Sequence, residues 1–144
     1  MILVSACLAG LNCRYDGASN AVPELMELVL RGEAVPVCPE QLGGLPTPRI
    51  PSEIQPDGRV LNARGEELSA QFRRGAEQAL AICRARGCSL AVLKARSPSC
   101  GKGEIYDGSF THTRVPGDGV FAALLKQNGV RVLTEEEYLE KGIL

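Results

Sequence analysis

Six cysteines, at positions 7, 13, 38, 83, 88 and 100, are the residues of this chain best equipped to do chemistry. They do not fall into paired C-x-x-C knuckles, which speaks against a zinc ribbon or finger. Three of them share a context. Cys7 ends the apolar run that begins at Ile2, Cys38 follows the run Ala34–Val37, and Cys100 lies in the loop after Leu90–Leu93. All three stand in Gly- or Pro-rich surroundings, where packing seldom demands a thiol. Three convergent thiolates would make a metal site with one position open. A closed structural zinc site takes four ligands, whereas an iron–sulfur cubane on three cysteines keeps one iron for another ligand, which suits catalysis. The residue types leave iron and zinc both open. Cys83 sits on the apolar stripe of a helix and Cys88 between a helix cap and a strand, so both read as small packing residues.

Polar side chains flank the thiols. Glu40 follows Cys38 by two residues, and Ser97 and Ser99 precede Cys100. A carboxylate beside a metal centre can shuttle protons, and a hydroxyl can orient a water or a substrate carbonyl. Arg14 and Tyr15 are candidates for ligand binding, followed by an Asp16-Gly17 turn. His112, the only histidine, stands in a polar loop without an i,i+4 partner of ligand type, so no metal role is expected of it. A single histidine also offers no ready Ser-His-Asp triad. Neither a Walker-type phosphate loop nor G-x-G-x-x-G occurs.

The elements that must position these residues follow from periodicity. Ile2–Ala6, Ala34–Val37, Leu90–Leu93 and Val130–Leu133 read as short buried strands. Helices are predicted over Pro23–Leu30 with Pro23 at N1, over Glu67–Arg86 with Gly87 beyond its end, and over Gly119–Gln127. A terminal helix starts at the capping box Thr134-Glu135-Glu136-Glu137 and ends near Gly142. Pro39 to Pro56 holds five prolines and a Gly-Gly pair, so no regular element is expected there, only an ordered functional loop. A tight turn at Pro56-Asp57-Gly58 then joins two short extended pieces. Alternating strands and helices imply an α/β fold of three layers (αβα, Rossmann-like) with a mostly parallel sheet, spanning residues 1–144 as one domain. In such a sheet the loops at the carboxyl ends of the strands meet in a crevice, which would bring Cys7, Cys38 and Cys100 to one rim.

Composition excludes other classes. The formal charge is −1, whereas duplex nucleic-acid binders carry a strong basic excess. No stretch approaches the ~20 apolar residues that span a bilayer. The N-terminus lacks the basic region of a signal peptide, and the cysteines suit a reducing compartment better than three disulfides, so a cytoplasmic protein is expected.

Several motifs in order, Ser5-Ala6-Cys7-Leu8-x-Gly10, Arg14-Tyr15-Asp16-Gly17, Cys38-Pro39-Glu40-x-x-Gly43-Gly44-Leu45, Pro48-Arg49, Ser97-Pro98-Ser99-Cys100-Gly101 and Ile105-Tyr106-Asp107-Gly108-Ser109-Phe110, resemble the thiouracil desulfidase (TudS) family over nearly the whole chain. The resemblance implies a [4Fe-4S] cluster held by Cys7, Cys38 and Cys100, whose remaining iron takes the sulfur of a thiolated uracil. It also implies a proton-transferring carboxylate at Glu40 and an assisting serine in the Ser97–Ser99 segment, preferably Ser97; Arg14, Tyr15 and Ser99 are, on their residue types, the candidates for contacting the substrate. The implied reaction is a non-redox, hydrolytic replacement of sulfur by oxygen with release of hydrogen sulfide. Longer relatives carry a second domain and act on thiouridine in transfer RNA. These 144 residues have no counterpart of it, so a free base or nucleoside is the expected substrate. Cys13 falls outside the ligand motifs and is assigned no ligand role. Two other readings compete: a cluster-based redox sensor or electron carrier, in which Cys13 would complete the ligand set, and a zinc-dependent pyrimidine hydrolase. The latter usually needs P-C-x-x-C, which is missing here.

Overall fold

A computed structural model describes residues 1–141. In chain order it contains β1 (Ile2–Ser5), a 3-10 turn (Ala6–Ala9), α1 (Pro23–Leu30), β2 (Ala34–Val37), α2 (Pro39–Leu42), β3 (Ser52–Ile54) and β4 (Val60–Asn62). There follow α3 (Ser69–Ala85), β5 (Leu90–Leu93), β6 (Glu104–Tyr106), β7 (Arg114–Pro116), α4 (Val120–Gln127), β8 (Arg131–Thr134) and α5 (Glu135–Lys141). The predicted end of the last helix near Gly142 lies outside the described residues.

Four strands form an all-parallel sheet in the order β2-β1-β5-β8. Successive side chains of a strand point to opposite faces, and a parallel sheet needs both faces covered. Leu3, Ala91 and Leu93 accordingly pack with Ala76, Ala79 and Phe121 of α3 and α4. Val4 and Val92 pack on the other side with Leu25 of α1 and the half-buried Tyr138 of α5. The predicted three-layer α/β fold is thus observed. Pro36 disrupts nothing because β2 is an edge strand. The capping box at the start of α5 forms as read, with Thr134 N donating to Glu137 Oε1 and Glu137 N to Thr134 Oγ1.

The proline-rich stretch departs from expectation, because α2 and β3 lie within it. Pro39 occupies the first turn of α2, where a missing N–H costs no bond. Pro51 immediately precedes β3, which pairs antiparallel with β4 around the predicted Pro56-Asp57-Gly58 turn. The β6–β7 hairpin was also unexpected. Its three-residue strands are too short to show a period.

Two close approaches fix the loops above the sheet. The turn ending α2 crosses α3 with backbone against backbone: a Cβ on Gly43 would lie 2.0 Å from Gln71 O, and one on Gly75 1.7 Å from Pro39 O. At the other side, the first amides of α4 bond back to the loop after β5. Val120 N donates to Pro98 O at 2.9 Å and Phe121 N to Ser99 O at 2.8 Å.

Candidate functional site

The strand order reverses between β1 and β5, so the loops leaving their carboxyl ends diverge and open a crevice at this switch point. Cys7 enters it from the turn after β1, Cys38 from the end of β2, and Cys100 from the loop after β5. All three line one cavity of about 390 Å³ together with Glu40, Ser97 and Ser99. The convergence predicted from spacing is therefore present. All six cysteines are free thiols. Cys83 and Cys88 stay in the core, as expected, with their thiol pKa values raised chiefly by burial.

A fourth thiol stands in the same cavity. Cys13 is buried beside Cys38 and Cys7, and these two neighbours, Cys38 first, push its thiol pKa up and hold it toward the protonated form. Cys38 and Cys7 shift the other way, and Cys38 Sγ lies 3.9 Å from Cys13 O. Cys38 is pulled down to about 7 by the Cys13 thiol, against burial, with further help from the Gln41 backbone and the Arg49 charge. Cys7 is lowered by Cys13 and, to a lesser degree, Asn20. Cys100 is pushed up to about 12 by burial, although Ser5 and Ser99 bond to it. The electron-carrier reading alone gives Cys13 a place beside these thiols; the desulfidase motifs leave it out.

The carboxylate and the hydroxyls form one connected chain. Glu40 sits in the first turn of α2; its Oε2 accepts from Ser99 Oγ at 3.0 Å and its Oε1 from Arg49 Nε at 2.9 Å. The pair is largely but not fully buried, with side-chain exposures of 8 % for Arg49 and 14 % for Glu40. Ser97 Oγ accepts from Cys100 N at 3.0 Å and Ser99 N at 3.2 Å, and lies 3.1 Å from Ser99 Oγ. Since both amides donate to Ser97, its own proton is left to point at Ser99 or at a ligand. The structure thus places Ser99, rather than Ser97, directly on the carboxylate.

Arg49 was not foreseen as a site residue. Besides Glu40 it donates to Cys13 O at 2.9 Å and Thr47 Oγ1 at 3.0 Å, so one guanidinium ties the carboxylate to the Cys13 loop. Arg14 and Tyr15 do line the cavity. Arg14 is anchored by Asn20 and Asp16 and lies against the Tyr15 ring. The cavity is completed by residues to which no part had been given, among them Lys94, Arg96, Tyr106 and His112.

A doubly wound parallel sheet with thiols, a paired carboxylate and hydroxyls gathered at its switch point has the architecture of a small α/β catalyst that works with a thiolate-held group. The sequence model of the 2-thiouracil desulfurase family matches residues 2–137, and the chain belongs to that family. It is 43 % identical over 146 aligned residues to the uncharacterized protein YbbK of Bacillus subtilis (strain 168), an alignment covering 95 % of this chain and 97 % of that protein. Its fold matches the solved structure of the [4Fe-4S]-dependent thiouracil desulfidase TudS with a TM-score of 0.91 and 45 % identity, covering 96 % of this chain and 93 % of the other. No helix among the described residues is long and apolar enough to cross a membrane.

Proposed function

We propose that this protein is a cytoplasmic desulfidase that converts a thiolated uracil, as free base or nucleoside, and water into the oxygenated pyrimidine and hydrogen sulfide, with no net redox change. The observation that carries this reading is the meeting of Cys7, Cys38 and Cys100 with the Glu40–Ser99 pair in one crevice, in a chain this similar to a [4Fe-4S]-dependent thiouracil desulfidase.

The residues fit a [4Fe-4S] cluster. Three soft sulfur donors reach the cavity from three separate loops, and two of them are biased toward thiolate. Among the described residues no three His, Cys, Asp or Glu side chains close around a point as a single metal ion requires. The zinc-hydrolase reading lacks the P-C-x-x-C element that such hydrolases usually carry. Bound there, the cluster would supply a thiophilic Lewis acid that polarises the thiocarbonyl carbon.

The remaining work falls to the chain itself. Glu40, held by Arg49, takes the proton of the attacking water. Ser99, whose hydroxyl donates to Glu40 and lies 3.1 Å from Ser97 Oγ, orients the carboxylate, and the proton that Glu40 takes is given back to the departing sulfur as hydrogen sulfide forms. Arg14 and Tyr15 border the space left for the pyrimidine. A second reading, an electron carrier, draws support from the Cys13 thiol lying against Cys7 and Cys38, where it could complete a four-cysteine set. A carrier has no use for the partly buried Glu40–Ser99–Ser97 chain.

The two are separated with protein purified without oxygen. Wild type should release sulfide from 4-thiouracil, and Glu40→Gln should keep its iron while losing about 10²-fold in rate, the scale for a lost general acid or base. A wild type that turns over no thiolated pyrimidine, but whose cluster cycles reversibly between redox states, would put the carrier in its place.

A further inference from the structure

The β6–β7 hairpin stands outside the main sheet, yet it builds one wall of the cavity. Tyr106, the last residue of β6, and His112, two residues before β7, both line the space reached by the thiols. Their rings pack edge to face, with centroids 5.7 Å apart and planes at 84°. Neither ring has a part in holding the cysteines or in the Glu40–Ser99–Ser97 chain.

The connection between the two strands is held in an uncommon shape. Phe110 and His112 have φ of 59° and 60°, in the left-handed region. Side chains persist there only where the surroundings enforce it, and such residues cluster at ligand sites. The enforcing group is Glu53 of β3, 9 % exposed. Its Oε1 accepts from Gly108 N at 2.9 Å and Phe110 N at 3.1 Å. Gln55 Nε2 adds a bond to Gly108 O at 3.1 Å, and Asp107 N closes the base of the loop on Thr113 O at 2.9 Å. A buried carboxylate is thus committed to shaping a surface loop whose product is the placement of one imidazole.

We propose that His112, with Tyr106 packed against it, is the contact that recognises the pyrimidine ring, and that Glu53 is the positioning residue that fixes the loop presenting it. This rests on the desulfidase reading above. A uracil edge alternates N–H donors with carbonyl or thiocarbonyl acceptors, and an imidazole brings two ring nitrogens able to pair with such an edge. The aromatic pair also offers a planar heterocycle an apolar, polarisable surface.

The test uses the cluster-loaded enzyme and two probes, 4-thiouracil and its unreactive product uracil. His112→Asn removes the imidazole but keeps a residue tolerant of the left-handed backbone. A contact shared by ground and transition states should cost about tenfold in KM, with kcat held within about threefold. The chain has one histidine, so its C2 proton gives an unambiguous resonance, which uracil should shift in wild type. Glu53→Ala should reproduce the rise in KM and abolish the shift, and Glu53→Gln, which keeps a carbonyl acceptor, should restore both. A purely structural Glu53 would lower the melting temperature and leave KM and the shift alone. Wild-type KM in His112→Asn, or a resonance that uracil leaves unmoved in an enzyme that desulfurates 4-thiouracil, overturns the inference by itself. A shift produced by uracil in a protein that does not turn over 4-thiouracil supports ring recognition and instead overturns the desulfidase reading.

Discussion

Replacing Arg49 by Met keeps an apolar stem of similar length and removes the donors that face Glu40 Oε1, Cys13 O, Thr47 Oγ1 and Pro46 O. Glu40 then loses its guanidinium partner where only 14 % of its side chain is exposed. Removing one partner of a buried ion pair typically costs 3–5 kcal/mol. Here Oε2 keeps its bond to Ser99, and the carboxylate retains 14 % exposure, so the lower end, about 3 kcal/mol, is the expected loss. For a domain of this size that lowers the melting temperature by about 10 °C. The double variant Glu40→Gln/Arg49→Met removes the orphaned charge as well and should recover at least about half of the loss, since neighbouring sites couple. Sulfide release by Arg49→Met should fall by about 10- to 100-fold, because the base loses the anchor that orients it. Thermal unfolding followed by circular dichroism, on wild type, both single variants and the double variant, closes the cycle. A melting temperature within about 2 °C of wild type in Arg49→Met, too small for a broken buried pair, would refute the argument that Arg49 holds Glu40.

Cys7→Ala, Cys38→Ala and Cys100→Ala should each abolish iron and inorganic sulfide after anaerobic reconstitution, whereas Cys83→Ala and Cys88→Ala keep about four of each per chain, as a cubane requires; loss of cluster from a folded Cys83→Ala would overturn the ligand assignment. Apo-protein should keep its helical circular dichroism and a cooperative melt, because both cores are built mainly from the sheet and the helices that cover it, unlike a zinc finger that unfolds without its metal; an unstructured apo-chain would contradict this. In that apo-protein, iodoacetamide should modify Cys38 with a rate that rises through a midpoint of about 7 and levels off above it, since only the thiolate attacks. Cys100, with its thiol near 12, should lag far behind, and peptide mass mapping that finds Cys100 faster at neutral pH would show the thiolate ranking to be wrong.

The parts of the fold that could be read in advance are those governed by local period. The strands Ala34–Val37 and Leu90–Leu93 and the helix Pro23–Leu30 lie where the sequence puts them, because each is an apolar run or stripe with a proline or glycine marking its end. The gathering of Cys7, Cys38 and Cys100 was legible for a different reason: in a parallel sheet every carboxyl end faces the same way. The partners of the site residues were not legible. Arg49 reaches Glu40 through a proline-rich path whose direction no periodicity encodes. Cys13 arrives in the cavity by a turn of irregular backbone, where no spacing rule applies. Ser97 and Ser99 are chemically alike, and only the bonds from Cys100 N and Ser99 N to Ser97 distinguish the one that shapes the loop from the one that meets the carboxylate. His112 looked like an ordinary loop residue because its placement depends on Glu53, 59 positions earlier in the chain.

The crossing of α2 over α3 has a consequence for where this active site begins and ends. With 1.7 Å between Pro39 O and the place a Cβ would take on Gly75, the two backbones leave no room for even a methyl group. Gly75 therefore acts as a shim of zero thickness beneath the turn that carries Cys38 and Glu40. Any side chain there would lift that turn bodily, moving Cys38 and Glu40, the proposed cluster ligand and proton acceptor, together relative to Cys7 and Cys100, which hang from other strands. Alignment between the two halves of the crevice is thus set by a residue that touches neither substrate nor sulfur. A redesign that repacks α3 for stability would change the height of the Glu40 carboxylate without altering one residue of the pocket.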